Sequence, residues 1–385
     1  MTSIEQQAAA LPQGGHPGRS VPHPRYGDVP RAYWSDWRWQ LTHRLRTADE
    51  LATVLPLSAE EREAIARTAD QFLMALTPYY ASLIDPNDPN DPIRRQAVPQ
   101  LAELVVAPGE LSDPLAEESH MPVPGLTHRY PDRVLLYASH NCPVYCRHCN
   151  RRRKVGDPES APDQGQLAKA IAYIARHAEV RDVLVSGGDP LSLSDERLGQ
   201  LLQSLRAIPH LELIRLATRN PVTLPQRVTP ELCATLARFH PIFVSTHFNH
   251  ERECTAEAAL ALTRLADAGC VLSNQMVLLA GVNDEPPMVK RMNQWLLRHR
   301  CRPYYIFQAD AVQGTSHFRT PLESGFAILR ALRGWTSGLA VPHYVVDLPQ
   351  GGGKVAVQPD ALVARDGKTL TFTNYRGEPF EYIEG

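Results

Sequence analysis

Val134-Leu135-Leu136-Tyr137-Ala138-Ser139-His140-Asn141-Cys142-Pro143-Val144-Tyr145-Cys146-Arg147-His148-Cys149-Asn150 joins a short apolar run to three cysteines with C-x3-C-x2-C spacing. The run has the length and composition of a buried strand, which puts the cysteines on the loop that follows it. Three thiolates that close together can converge on one soft-metal centre. A [4Fe–4S] cluster held by only three thiolates leaves one iron without a protein ligand, free to bind a small molecule. The same stretch also suits a zinc knuckle with His148 as fourth ligand, followed by a basic nucleic-acid patch at Arg151-Arg152-Arg153-Lys154. The rest of the chain has to decide between the two.

Outward from this loop, apolar strand candidates recur at 134–139, 182–187, 213–218, 242–248, 271–279 and 303–309, each short and bounded by polar or Gly/Pro residues. Helical periodicity fills 164–177, 194–207, 229–239, 255–268, 286–299 and 323–335. Strand and helix alternating in this way predict an α/β fold whose parallel sheet, with right-handed crossovers, curves into a partial barrel. Chemistry in such folds sits at the carboxyl ends of the strands. Cys142 follows the first strand, Gly187-Gly188-Asp189 the second, His247 the fourth and Asp310 the sixth, and Gln275 lies in the fifth.

Residues 1–28, rich in Gly, Pro and His, are expected to form a disordered or strap-like tail. Residues 29–110 read as a small helical domain, with a capping box at Ser58-Ala59-Glu60-Glu61 and a packing cluster of Trp34, Trp37 and Trp39. The tandem Asp85-Pro86-Asn87-Asp88-Pro89-Asn90-Asp91-Pro92 reads as a rigid connector rather than a calcium loop, since no Glu closes an EF-hand register. The barrel is expected over 111–340. Residues 341–385 form a strand-rich extension, with a hairpin turn at Asp366-Gly367.

Composition narrows the function classes. A chain of 385 residues with formal net charge −2 gives no global case for nucleic acid or a membrane surface. Its seven cysteines, three clustered and four dispersed, do not resemble a disulfide framework. No run reaches the length of a signal peptide or a membrane span, and a cytoplasmic location is expected. Two glycine-rich stretches remain open on chemistry alone. Ser186-Gly187-Gly188-Asp189-Pro190 lacks the G-x-G-x-x-G spacing, so it is either a tight strand-to-helix turn or a close backbone approach to a ligand. Leu348-Pro349-Gln350-Gly351-Gly352-Gly353-Lys354 fails as a P-loop, because no Ser or Thr follows the lysine, but its lysine is free to carry pyridoxal phosphate (PLP) as a Schiff base.

Long segments resemble the lysine 2,3-aminomutase family. They include Trp37-Arg38-Trp39-Gln40, Leu83-Ile84-Asp85-Pro86-Asn87-Asp88-Pro89, Gly125-Leu126-Thr127-His128-Arg129-Tyr130-Pro131-Asp132-Arg133-Val134, Thr246-His247-Phe248-Asn249-His250, Arg302-Pro303-Tyr304-Tyr305-Ile306 and Gly351-Gly352-Gly353-Lys354. The resemblance implies a radical S-adenosylmethionine (SAM), PLP-dependent isomerase on a partial (β/α)6 barrel. It implies that Cys142, Cys146 and Cys149 hold a [4Fe–4S] cluster, that Gly187, Gly188, Asp189, His247 and Gln275 surround SAM, and that Lys354 carries PLP with help from Arg129 and Arg133. Arg151 is matched to the substrate carboxylate, and Asp310 and Asp347 to the distal amine of L-lysine. L-arginine is the alternative substrate, since its guanidinium also suits two aspartates. A flavodoxin or ferredoxin is the implied electron donor, and a homo-oligomer is compatible with the family.

The chain departs from the family pattern in places. No cysteine lies beyond Cys301, and Glu285 stands where a zinc ligand is usual, so a C-terminal structural zinc is not expected. Asn150 replaces a usual Thr, and Leu348-Pro349-Gln350 replaces the common Ala-Pro-Gly.

Overall fold

The computed structural model describes residues 24–157 and 162–385. Most of the expected tail lies outside these residues. From Pro24 the chain is already ordered, with the Tyr26 ring packed 5.6 Å from Trp34 and 6.0 Å from Trp39. Those aromatics are packing, as their sequence pattern indicates.

Nine strands form one sheet in strict chain order: β1 (Leu126–Tyr130), β2 (Arg133–Ser139), β3 (Asp182–Gly187), β4 (Leu213–Ala217), β5 (Ile242–Thr246), β6 (Val271–Leu278), β7 (Cys301–Gln308), β8 (His343–Leu348) and β9 (Gly353–Ala356). The pairings from β2 through β8 are parallel, and the outermost strands β1 and β9 are antiparallel to their neighbours. The crossover helices are α1 (Gln164–Arg176), α2 (Asp195–Arg206), α3 (Pro230–Ala237), α4 (Ala256–Asp267), α5 (Pro286–Arg298) and α6 (Leu322–Leu332). The expected strand and helix units are thus present, and the sheet continues past residue 340 with a seventh parallel strand, β8. The sequence pattern assigns it to the strand-rich extension rather than to the barrel, and it carries His343 and Asp347 among its apolar residues.

Local chemistry explains where the helices start. The side chains of Asp163, Ser194, Thr229 and Thr255 accept backbone N–H groups in the first turns of α1 to α4, each cap contributing about 1 kcal/mol. On α5, Met288, Val289, Met292, Trp295 and Leu296 are buried at i, i+1, i+4, i+7 and i+8, the spacing of one helix face.

The N-terminal helices pack on the barrel and share a continuous core with it. Ser58 makes the expected capping box with Glu61, and Glu61 also pairs with Arg94 at 2.6 Å. The proline-rich connector is a series of Asx turns. Its last aspartate, Asp91, is fully buried, caps the helix that starts at Pro92, and pairs with Arg252 from the loop after β5.

The gap between β1 and β9 is bridged by side chains rather than by a strand ladder. The Lys354 backbone N–H donates to the Tyr130 hydroxyl at 2.9 Å, and Arg129 reaches Asp347 at 3.5 Å. Beyond β9 a separate antiparallel sheet holds β10 (Leu362–Asp366), β11 (Thr369–Thr373) and β12 (Pro379–Ile383). Asp366 pairs with Thr369 around Gly367, as the turn signal predicts.

Gln350 lies in the turn between β8 and β9 with φ of 57°, a left-handed conformation that costs an L-residue roughly 1–2 kcal/mol. Glycine adopts it freely but loses about 0.5–1 kcal/mol through chain entropy. Gln350→Gly is therefore expected to raise stability by about 0.5–1 kcal/mol, and β-branched Gln350→Val to lower it. Urea melts of the variants check this; a less stable Gly variant would show that the Gln350 side chain holds the turn.

Candidate active site

The carboxyl ends of the strands and the β1/β9 gap hold almost every residue singled out above. The cysteine loop is held by a buried charge network. Arg147, wholly buried, donates to Glu103 through Nε (2.9 Å) and Nη2 (2.7 Å) and to the Leu73 carbonyl at 2.9 Å, and Arg152 pairs with the same Glu103. Burial alone would raise the Glu103 carboxyl, but the two guanidinium groups outweigh it and hold it below its ordinary value. The Arg run that a nucleic-acid patch would need to display is turned inward here. Arg44 adds a bond to the Cys142 carbonyl at 2.6 Å.

Cys142, Cys146 and Cys149 are free thiols in the mouth of the barrel. Burial, with Asp189 and the other two thiols, pushes Cys142 well up, and burial with Cys146 pushes Cys149 to about 11. Metal binding must therefore release protons. Among the described residues no three His, Cys, Asp or Glu side chains converge on a single ion. His148 Nε2 instead faces Asn249 Nδ2 at 3.3 Å. With the His148 ring turned to Asn249, the fourth ligand that a zinc knuckle needs is directed elsewhere.

The two glycines after β3 are explained by close approach. Gly187 has φ of 101°, and a Cβ there would run into the Ser139 carbonyl. At Gly188 a Cβ would lie 2.6 Å from the Asn141 carbonyl. These contacts press the end of β3 against the cysteine loop, and the Asp189 N–H donates to the Asn141 carbonyl at 2.9 Å. The Asp189 carboxylate is already engaged by Thr218 Oγ1 (2.7 Å) and the Arg219 N–H (2.7 Å). It braces the turn, with Gly187 buried and Gly188 half-buried beside it.

His247, just after β5, and Gln275, on β6, are neighbours, with the Gln275 backbone close enough to act on the His247 ring. Burial, reinforced by Arg219 and Arg151, lowers His247 to about 4, so its imidazole is neutral at physiological pH. The β6/β7 register slips at Gln275, leaving one extra residue, Tyr304, between the partners Pro303 and Tyr305. Such a bulge re-aims side chains beside a site.

Lys354 and Asp347 are cross-strand partners on β9 and β8, with Nζ 2.6 Å from Asp347 Oδ2 and 4.2 Å from the centroid of the Phe307 ring. Arg129 and Arg133 flank Tyr130, with Arg133 stacked 3.9 Å over its ring. Asp310, after β7, accepts Asn150 Nδ2 at 3.0 Å. Burial and the Asp347 charge raise its carboxyl to about 6, against the lowering effect of Asn150 and Lys354. Arg151 is paired on one edge with Glu117, Nη2 to Oε1 at 2.6 Å and Nε to Oε2 at 3.0 Å, while Nη1 reaches Ser186 at 3.3 Å. Tyr137 also donates to Glu117, at 2.8 Å.

Two polar anchors were missed by sequence reasoning. Arg219 stands at the carboxyl end of β4, the one early strand for which no candidate was drawn, and its Nη1 lies 2.8 Å from Cys146 Sγ. The rule that flagged the other strand ends would have found it. Glu117 carries no local signal, since it lies in irregular chain ahead of β1.

A partial α/β barrel with three cysteines on the loop after its first parallel strand defines a radical SAM enzyme, and the Radical SAM superfamily model matches residues 136–289. Such a domain works with a [4Fe–4S] cluster and SAM. The chain belongs to the lysine 2,3-aminomutase family of isomerases: the family model Lysine-2,3-aminomutase matches residues 329–385, and L-lysine 2,3-aminomutase of Clostridium subterminale is 49% identical over 94% of this chain and 88% of its own. L-lysine 2,3-aminomutase of Fusobacterium nucleatum is 50% identical over 91% of this chain and 83% of its own. Glutamate 2,3-aminomutase of Clostridioides difficile is 43% identical over 90% and 82%. No helix among the described residues is long and apolar enough to cross a membrane.

Proposed function

We propose that this chain interconverts L-lysine and L-β-lysine by a radical 1,2-amino shift, with PLP as a further cofactor. The observation that carries the substrate choice is the pair of carboxylates Asp310 and Asp347 at the barrel mouth, where burial and the Asp347 charge raise the Asp310 carboxyl. A cationic side chain relieves that repulsion, whereas a glutamate side chain would add a third negative charge. L-arginine satisfies the same charge rule, but the relatives compared at 49–50% identity are named for lysine.

The cluster would be held by Cys142, Cys146 and Cys149, SAM by the Gly187–Asp189 turn, His247 and Gln275, and PLP by Lys354 with Arg129 and Arg133. When bound, these groups supply the reducing electron, a hydrogen-abstracting radical and a carrier for the migrating nitrogen. The protein's own residues bind and orient. Arg151 offers the substrate carboxylate the guanidinium edge that Glu117 leaves free. Asp310 and Asp347 receive the distal amine, and the enclosing barrel keeps water out. Lys354 is oriented by Asp347, 2.6 Å from its Nζ. A flavodoxin or ferredoxin donor, a cytoplasmic location and a homo-oligomer belong to the same proposal.

Borohydride treatment of the PLP-loaded protein tests the cofactor part. It should fix a pyridoxyl group on Lys354, because only a C=N link is reduced to a stable amine. Peptide mapping that finds the label on another lysine would overturn the assignment. Product analysis with lysine, arginine and glutamate in competition tests the substrate; formation of β-glutamate in preference to β-lysine would refute it.

A further inference from the structure

Arg219 is largely enclosed, its side chain 11% exposed, between the cysteine loop, the end of β5 and the N-terminal helices, and each of its nitrogens is engaged. Nη1 donates to Cys146 Sγ at 2.8 Å. Nη2 donates to Gln96 Oε1 and Glu253 Oε1, both at 2.6 Å, and lies 3.2 Å from the Tyr80 hydroxyl. Nε donates to the His247 carbonyl at 3.1 Å. The opposing carboxylate is equally fixed. Glu253 is fully buried, and it accepts Tyr80 OH at 2.8 Å, Gln96 Nε2 at 3.2 Å, the Asn249 N–H at 2.6 Å and the His250 N–H at 3.1 Å. A guanidinium so constrained cannot swing away from the sulfur. The substrate and PLP roles proposed above make no use of it.

We propose that Arg219 is a positioning residue that sets the reduction potential of the cluster through its hydrogen bond to Cys146, with Glu253 holding it in place and tempering its charge. A charged N–H donor disperses negative charge on a ligating sulfur, and it does so most for the more negative, reduced cluster. The bond therefore makes reduction easier. Glu253 lies on the far side of the guanidinium and partly cancels its field. The inference rests on the three cysteines being the cluster ligands.

The test is redox titration of the reconstituted protein, followed by EPR, at matched iron per chain. Arg219→Gln should shift the midpoint to more negative potential, Arg219→Lys should fall between it and wild type, and Glu253→Gln should shift it the other way. A purely structural role would lower cluster content or stability without ordering the midpoints in this way. Wild-type protein grown with arginine labelled with 15N in the guanidinium alone, which leaves out the Arg151 backbone N–H that bonds Cys149 Sγ at 3.4 Å, gives a second readout that needs no variant: the reduced cluster should show a 15N hyperfine coupling. Equal midpoints at equal iron content would overturn the inference alone, as would absence of the coupling where Arg219→Gln takes up no iron. A wild-type protein that takes up no cluster would overturn the ligand assignment and this inference with it.

Discussion

Cys146→Ala is expected to lose most of the protein's iron and all SAM cleavage, while Cys233→Ala keeps both. A site-differentiated cluster needs one thiolate on each of three irons, so removing one leaves two irons to be held by solvent. The loss is steep because the loop is held in place before any metal arrives. Tyr145 N–H bonds the Ala75 carbonyl at 3.0 Å, Arg147 N–H bonds the Gln96 carbonyl at 2.9 Å, and the Arg147–Glu103 pair is buried beneath them. A rigid loop cannot bring another donor into the gap. Arg219 would also lose its sulfur acceptor and be left with an unpaired, largely enclosed N–H. Cys233 is a fair control, since it lies on α3 away from the mouth and burial pushes its thiol to about 11. Iron and sulfide analysis with the visible spectrum reads the first part, and 5′-deoxyadenosine formation under reducing conditions the second. Equal iron in the two variants would remove Cys146 from the ligand set.

The barrel was legible because its signal is repeated and local. The parallel strands β2 to β7 are mostly apolar runs, α1 to α4 start on side-chain caps, and the expected helix limits fall within a few residues of α1 to α6. Strand-end placement then located the mouth without structural knowledge. Long-range pairing was not legible. Nothing in the local sequence tells that Lys354 sits opposite Asp347, that Tyr130 closes the seam onto β9, or that Glu117 takes one edge of Arg151. These contacts join residues far apart in the chain, and polar residues in irregular segments carry no periodicity.

Two departures from the family pattern acquire physical meaning in the structure. Gln350 replaces glycine at a left-handed position, which makes it a source of strain rather than of new chemistry. Asn150 replaces threonine where its amide can donate to Asp310. A threonine hydroxyl on a shorter side chain would reach less far, so Asn150 fixes Asp310 and occupies one acceptor position. The side-chain pocket is therefore where this chain has room to differ from its relatives.

Asp310→Asn is expected to lower kcat/KM for lysine by roughly two to three decades, since stranding one partner of a buried charge pair costs about 3–5 kcal/mol. Asp310 is the cleaner probe of the two aspartates. Asp347 also holds Lys354 at 2.6 Å and Arg129 at 3.5 Å, so Asp347→Asn would disturb Lys354, proposed above to carry PLP, as well as the proposed substrate pocket. In the empty protein, burial and Asp347 raise Asp310 from 3.8 to about 6. Two consequences of opposite sign follow. For folding, the raised value means that the protonated form is favoured in the native state; its contribution is fully present below the unfolded pKa and is lost as pH rises through about 6. For binding, a cationic amine needs the ionised carboxylate, so kcat/KM for lysine should fall as pH drops through about 6. The Asp310→Asn variant should lose that limb of the profile. Asp310→Lys should go further and disfavour lysine and arginine alike through like-charge repulsion. Arg151→Ala is the companion control: it should lose activity through the α-carboxylate, yet leave the ranking of side chains unchanged. Steady-state rates with lysine, arginine and glutamate between pH 5 and 8 would decide the matter. An unchanged lysine rate in the Asp310→Asn and Asp347→Asn double variant would remove both aspartates from the substrate pocket.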